Sequence, residues 1–263
     1  MLLPPLREMD KMNLSATRIE NYETCPLRFK MDADWNLPGE PVPAMQFGNA
    51  VHTALKGYYD AMLANRPLTR EQFLNIFEEQ LSISPFDDPH QKELYRTQGI
   101  DQLSEFYHLR NHEPAPHVLA TEKVFELVVN GVKVIGRIDR TDQLADGSIA
   151  IVDYKTGAPR DQEDADKSLQ LSIYALATEQ AFNQLPSRLA FYNLETNSPS
   201  ETHRTPEQLA DVKHKITEVA AAIADGKFDP KQGLHCNSCG FREVCPVQEE
   251  PLWVVPGALL AKA

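Results

Sequence analysis

The chain is short of several things, and each shortage excludes something. It has four cysteines in 263 residues. It has no apolar run near the ~20 residues that a membrane span needs. Its opening, M-L-L-P-P-L-R-E-M-D, has too short an apolar stretch for a secretory signal and carries acids. No membrane partner is expected, and a cytoplasmic location with reduced thiols is the default. Basic residues are scarce, with 26 Lys and Arg against 38 Asp and Glu, a formal net charge of -12. That disfavours a protein that coats nucleic acid through bulk charge. It leaves room for a locally basic site, or for one where metal ions supply the positive charge. No G-x4-G-K-[ST] phosphate loop occurs, so the chain carries no nucleotide-driven motor of that kind. What remains is ordinary for a globular protein: 42% hydrophobic and 24% charged residues.

The order of elements suggests an α/β fold. Residues 1–13 read as a loose arm. A helix begins near Leu14, with Ser15 as N-cap and Ile19 and Tyr22 on one face, and Pro26 limits it. Residues 36–46 are Pro-rich and read as a loop. Phe47, Val51, Leu55, Tyr58 and Met62 then recur at helical spacing, and two more helical stretches follow near 69–82 and 90–111. The pattern changes near residue 118 to a hairpin turning at Asn130-Gly131, with a third strand after Asp146-Gly147. Residues 166–183 return to helical period, 188–196 read as a strand, and 206–225 form a helix ended by Gly226. A short apolar tail contains Trp253. One domain over 1–263 is expected: a mainly helical part over 14–117, a core over 118–200, and a C-terminal helix with cysteines over 201–263.

The cysteines are Cys25, in Y-E-T-C-P, and Cys236, Cys239 and Cys245, in C-N-S-C-G-F-R-E-V-C-P. None is left over. In a reducing compartment this spacing suggests metal or cluster ligation rather than disulfides. Structural zinc commonly uses two short-spaced pairs, whereas three ligands plus one remote ligand, with Pro after Cys25 and Cys245, looks more like an iron–sulfur site. His235 keeps zinc open as a stand-in ligand, and four unrelated thiols is the bland alternative.

The third strand, I-A-I-V-D-Y-K, ends in Asp153, Tyr154 and Lys155. Alternation puts Asp153 and Lys155 on one face, two steps of ~3.3 Å apart, with Tyr154 on the other. A carboxylate there can hold a divalent metal while the lysine orients water and offsets developing charge. By itself D-x-K is common, and a surface ion pair is its bland reading. Asp139, in G-R-I-D-R on the preceding antiparallel strand, converges on Asp153 if the strands curve, and two carboxylates suit Mg²⁺ or Mn²⁺. His52, one turn after Gly48 on a helix, is a third candidate ligand. Gln170 and Tyr174 lie at i and i+4, where they can position the lysine or a phosphate.

In order these pieces are C-P (25–26), G-x3-H (48–52), G-R-I-D-R (136–140), D-Y-K-T-G (153–157), Q-x3-Y (170–174) and C-x2-C-x5-C (236–245). The set resembles the RecB-like nucleases of the PD-(D/E)XK superfamily, closest to the iron–sulfur branch of AddB nuclease domains and CRISPR-associated RecB-like exonucleases. The resemblance implies a restriction-endonuclease-like mixed sheet flanked by helices, with a helical insertion and a cysteine cluster clamping the two ends. It implies a metal-dependent deoxyribonuclease, cutting single-stranded DNA from an end in repair, recombination or foreign-DNA processing. His52, Asp139 and Asp153 would bind Mg²⁺ or Mn²⁺ with the Tyr154 carbonyl. Lys155 would be the catalytic lysine, supported by Gln170 and Tyr174. Cys25, Cys236, Cys239 and Cys245 would hold a 4Fe–4S cluster. Glu122 corresponds to an acidic position in some relatives. Arg137, Arg140, Arg160, Lys123 and Lys133 are candidates for DNA backbone contacts, and Tyr22, Phe29 and Trp35 for base stacking or core packing. The net acidity leaves room for a helicase, repair or CRISPR partner protein. The rival readings are a catalytically silent nuclease-fold module that binds DNA or serves a structural role in a repair complex, and a zinc-stapled domain with another hydrolytic activity.

Overall fold

A computed structural model describes residues 13–35 and 43–247. The arm over 1–12, most of the Pro-rich segment and the Trp253 tail lie outside them. Eight helices are described: α1 (Ala16–Thr24), α2 (Pro26–Trp35), α3 (Pro43–Leu63), α4 (Arg70–Ile83), α5 (Pro89–His112), α6 (Gln162–Lys167), α7 (Leu169–Phe182) and α8 (Pro206–Ala224). Five strands, β1 (His117–Val129), β2 (Val132–Gln143), β3 (Ile149–Lys155), β4 (Arg188–Asn193) and β5 (Ser198–Thr202), form one sheet in that order. Only β3 and β4 pair in parallel; the other pairs are antiparallel. This is an α/β fold with a mixed sheet flanked by helices on both faces.

Local signals account for most boundaries. Ser15 caps α1 by accepting from Arg18 N–H, and Cys25 ends it before Pro26 opens α2. The β1–β2 turn puts Asn130 and Gly131 at positive φ, as a two-residue hairpin demands. Three expectations need correction. Helix α3 begins at Pro43 rather than at Phe47, since proline is well placed in a first helical turn where no N–H partner is needed. The stretch 166–183 is two helices, because Ser168 ends α6 and caps α7. Strand β5, S-P-S-E-T, is an addition to the expected strands, since it is polar and carries Pro199; it is tolerated because it lies at the sheet edge.

The alternation of β3 divides two cores. Ile149 and Ile151 pack with α1, α7 and α8 on one face. Val152 and Tyr154 pack with α3, α4 and α5 on the other. A strand covered on both faces reads as a continuous apolar run, which is why I-A-I-V precedes the charged end. Tyr22 and Phe29 are buried in the first core, so neither is placed to stack on bases.

Strand β2 pairs with β1 along its whole length but with β3 only from Arg140 to Gln143. Toward its start it leaves β3, and Leu14 pairs with it instead through hydrogen bonds to Lys133 and Ile135. The divergence opens a notch in the sheet at Asp139. Helix α3 reaches that notch from one face and α7 from the other.

Candidate active site

Asp139 is the first β2 residue beyond the β2–β3 pairing. Its Oδ2 accepts a hydrogen bond from the Tyr154 N–H at 2.8 Å, using a donor that the divergence leaves free. His52 enters from α3, with Nδ1 3.4 Å from Asp139 Oδ2 and 3.5 Å from Glu122 Oε1. A side chain at Gly48 would meet Thr156 Oγ1 at 3.2 Å, so the glycine lets α3 sit close to the end of β3.

Glu122 is a larger part of the site than the sequence suggested. Its ligand atom lies within 4.8 Å of those of His52 and Asp139, a set able to hold a metal ion. The β1–β2 register, Thr121↔Arg140 and Lys123↔Ile138, places it opposite Asp139. Like charges directly opposite across strands are unfavourable. Glu122 also adopts φ +47°, a strained left-handed backbone for a residue with a side chain. Arg137 Nε lies 2.6 Å from Glu122 Oε2 without hydrogen-bond alignment. The positive φ aims the carboxylate at the notch, and no linear motif encodes it.

Burial alone would depress the His52 pKa, but hydrogen bonding to Asp139 and Glu122 and the charges of Asp139 and Asp153 outweigh it and raise the imidazole to about 10.

The second half of the site faces α7. Asp153 Oδ1 accepts from Gln170 Nε2 at 2.8 Å and from the Tyr174 hydroxyl at 3.2 Å. Lys155 Nζ lies 2.7 Å from Asp153 Oδ2 and donates to Gln170 Oε1 at 2.8 Å. The ammonium also stands 4.6 Å from the centre of the Phe191 ring, a cation–π geometry. Phe191 is the β4 partner of Asp153 in the parallel ladder. Burial pushes the Asp153 carboxyl up to about 6, reinforced by the charge of Asp139 and opposed by Lys155 and His52. Tyr174 donates to the Arg137 carbonyl at 2.7 Å, tying α7 to β2. Gly136 makes room for the Phe125 ring, which packs edge-on against Tyr174; a side chain at 136 would meet that ring at 2.4 Å.

All the candidates on β2, β3, α3 and α7 therefore meet at one notch. Arg140 and Lys133 do not. Arg140, expected to contact DNA, is buried on the opposite face, where it bonds Asp142 at 3.1 Å and the hydroxyls of Tyr59 and Tyr154. It follows Asp139 directly, so strand alternation turns it away from the notch. Lys133 pairs with Glu126 at 2.9 Å.

The four cysteines come together at the far end of α1. They line one cavity of about 440 Å³ with Leu27, Met31 and Phe241. The Lys231 N–H approaches Cys25 Sγ at 3.5 Å, Lys231 Nζ donates to the Glu23 carbonyl, and Tyr22 donates to the Lys227 carbonyl.

Comparison with known proteins adds an independent line. The family model described as the PD-(D/E)XK nuclease superfamily matches residues 13–246. The Gene 69 protein of Mycobacterium phage L5 is 25% identical, with 93% of this chain and 97% of that protein covered. Two ATP-dependent helicase/deoxyribonuclease subunits, from two strains of Streptococcus agalactiae, are 28% and 31% identical over 64% of this chain. The match spans only 18% of the length of each. A crystal structure of a candidate exonuclease from Eubacterium rectale shares the fold at TM-score 0.57 and 13% identity, with 96% of both chains covered.

Proposed function

The chain belongs to the PD-(D/E)XK nuclease superfamily, and from that premise we propose that it is a metal-dependent deoxyribonuclease that removes nucleotides from an end of single-stranded DNA. The observation that carries this reading is the amine of Lys155, seated by Asp153 and Gln170 beside the His52–Glu122–Asp139 triad. An acidic pocket with an adjacent fixed ammonium fits a phosphodiester, whose cleavage builds negative charge at one phosphorus.

His52, Asp139 and Asp153, with Glu122 and the Tyr154 carbonyl, are the groups that would hold Mg²⁺ or Mn²⁺. Such an ion supplies Lewis-acid neutralisation of phosphate charge. Lys155 orients the attacking water and donates toward the phosphate oxygen. Gln170 Oε1 accepts a hydrogen bond from the ammonium and Gln170 Nε2 donates one to Asp153, so ammonium and carboxylate keep one mutual geometry. Tyr174 fixes the other side of that carboxylate. Burial in the notch lowers the local dielectric and strengthens each of these contacts.

We assign the four cysteines to a 4Fe–4S cluster. Four thiols lining one cavity, three from a C-x2-C-x5-C run and one remote, fit that group better than the two short-spaced pairs common for zinc. The cluster would staple α1 and α2 to the segment after α8. Among the described residues no helix is long and apolar enough to cross a membrane. The net charge of -12 favours a partner, a helicase, repair or CRISPR protein, that supplies DNA affinity.

The test is digestion of end-labelled linear and circular single-stranded DNA with Mn²⁺ or Mg²⁺. Loss of linear substrate alone, abolished in Lys155→Ala, is expected. Tight binding without cleavage under any divalent metal would replace this reading with a silent DNA-binding module. Anaerobically purified protein should absorb broadly near 400 nm; a colourless protein with one zinc per chain would overturn the cluster.

A further inference from the structure

A groove of about 520 Å³ opens on the Lys155 side of the notch, with Lys155, Gln170 and Phe191 on its inner wall and Glu20, Arg160 and Lys215 around it. That volume lies within the ~300–1,000 Å³ typical of ligand sites. Whatever fills the groove touches the proposed catalytic lysine. Arg160 lies five residues past Lys155, in a segment that regular structure does not hold. It is nevertheless fixed. Asn193, buried at 3% exposure, is the register partner of Lys155 on β4. Its Oδ1 accepts from the Arg160 N–H at 2.7 Å, and its Nδ2 donates to the Arg160 carbonyl at 3.0 Å. Ser200 on β5 donates to the same carbonyl at 2.7 Å. One amide side chain thus takes the place of a neighbouring strand for residue 160 and ties it to the catalytic strand.

The side chain of Arg160 is free to act. It is 55% exposed, and its ion pair with Asp164 is loose at 4.0 Å. The other groove cations are committed: Lys215 lies 2.9 Å from Glu23, and Lys167 pairs with Glu163. Glu20 faces the same space, and burial pushes its carboxyl up while the charge of Lys155 pulls it back.

We infer that this groove seats the DNA backbone adjacent to the bond being cut, that Arg160 binds the neighbouring phosphate, and that Asn193 is the residue that positions Arg160. The inference rests on the nuclease reading and assigns its substrate path. Guanidinium groups suit phosphate because the planar fork matches two oxygens. Glu20 opposes the phosphate and limits how tightly the strand is held, which permits release between turnovers.

The experiment measures binding of a labelled single-stranded oligonucleotide without divalent metal, across a salt series, and initial rates with Mn²⁺. Arg160→Ala should weaken binding about 3- to 10-fold at low salt and reduce the log–log salt slope by about 0.7, the loss of one phosphate contact on a single strand. Glu20→Gln should move affinity the other way. Asn193→Ala should raise KM more than it lowers kcat and add little to Arg160→Ala in the double variant. If Asn193→Ala does not fold, Ser200→Ala carries the same comparison. Unchanged affinity and slope in both Arg160→Ala and Glu20→Gln, in a protein that cleaves DNA through Lys155, would overturn the groove and leave the nuclease reading standing. Shifts in both variants, in a protein that binds but never cleaves, would support the groove and overturn the nuclease reading.

Discussion

The two halves of the notch are built on opposite plans. On the His52 side, two carboxylates face each other across β1 and β2, one on strained backbone, with an imidazole between them. On the Lys155 side, a carboxylate, an ammonium, an amide and a phenol bond one another. The first half holds like charges opposite each other, one of them on strained backbone, an arrangement that a bound cation would relieve. The second is more fully hydrogen-bonded, although Asp153 Oδ2, 2.7 Å from Lys155 Nζ, lacks an aligned hydrogen bond just as Glu122 Oε2 does. The first half carries acids able to hold a cation, and the second carries the ammonium.

The largest effect that would break this comparison is at the Lys155 half. Lys155→Ala should lower cleavage about 10²- to 10³-fold or more, the scale for losing a fixed donor at developing charge, while calorimetric Mn²⁺ affinity changes little. Equal losses in both quantities would mean that the halves are not separate. On the His52 half, Glu122→Gln should weaken Mn²⁺ binding about 10- to 100-fold, a typical ligand-shell effect. Glu122→Gly should do the same yet raise the melting temperature of the metal-free protein, because it relieves a strain of about 1–3 kcal/mol.

The pH dependence carries the same contrast. A raised folded-state pKa means that the folded protein binds more protons, so stability falls as pH rises through the shifted window. For metal-free protein, the Asp153 shift from 3.8 to about 6 gives a loss between those values. The His52 shift from 6.5 to about 10 gives stability that is complete below 6.5 and lost as pH rises through 10. A ligating His52 must be neutral. Mn²⁺ affinity should therefore rise with pH by up to about tenfold per unit below 10, with proton release visible in buffers of different ionisation enthalpy. A pH-independent affinity between 6.5 and 9 would count against His52 as a ligand. The smallest effect is at Phe191: Phe191→Leu should lower kcat about 2- to 10-fold, the range of a buried cation–π contact, and Phe191→Tyr should restore most of it.

Much of this architecture is legible in the sequence because its causes are local. The Asn130-Gly131 turn, the Ser15 cap and the apolar run of β3 are short-range consequences of backbone geometry. Asp153 and Lys155 share a face by strand alternation, and Gln170 and Tyr174 by helical period, so four members of the site follow from spacing alone. Arg140 misleads, although the same alternation separates it from Asp139; its charge suggests DNA, and only packing against Tyr59 and Tyr154 shows why a guanidinium is buried there. Strand β5 escapes a sequence reading because edge pairing needs little of its own sequence.

By itself, then, the sequence determined which residue types stand at strand ends and helix faces, and that four thiols were available to one centre, because covalent geometry sets those periods. The tertiary structure decided that β2 turns from β3 at Asp139 to pair with Leu14. It also decided that Glu122 takes a left-handed backbone opposite an acid, and that Asn193 stands in for a strand beside Arg160. Those choices depend on two cores packing on opposite faces of one sheet, and pairing between segments far apart in the chain has no local period to announce it.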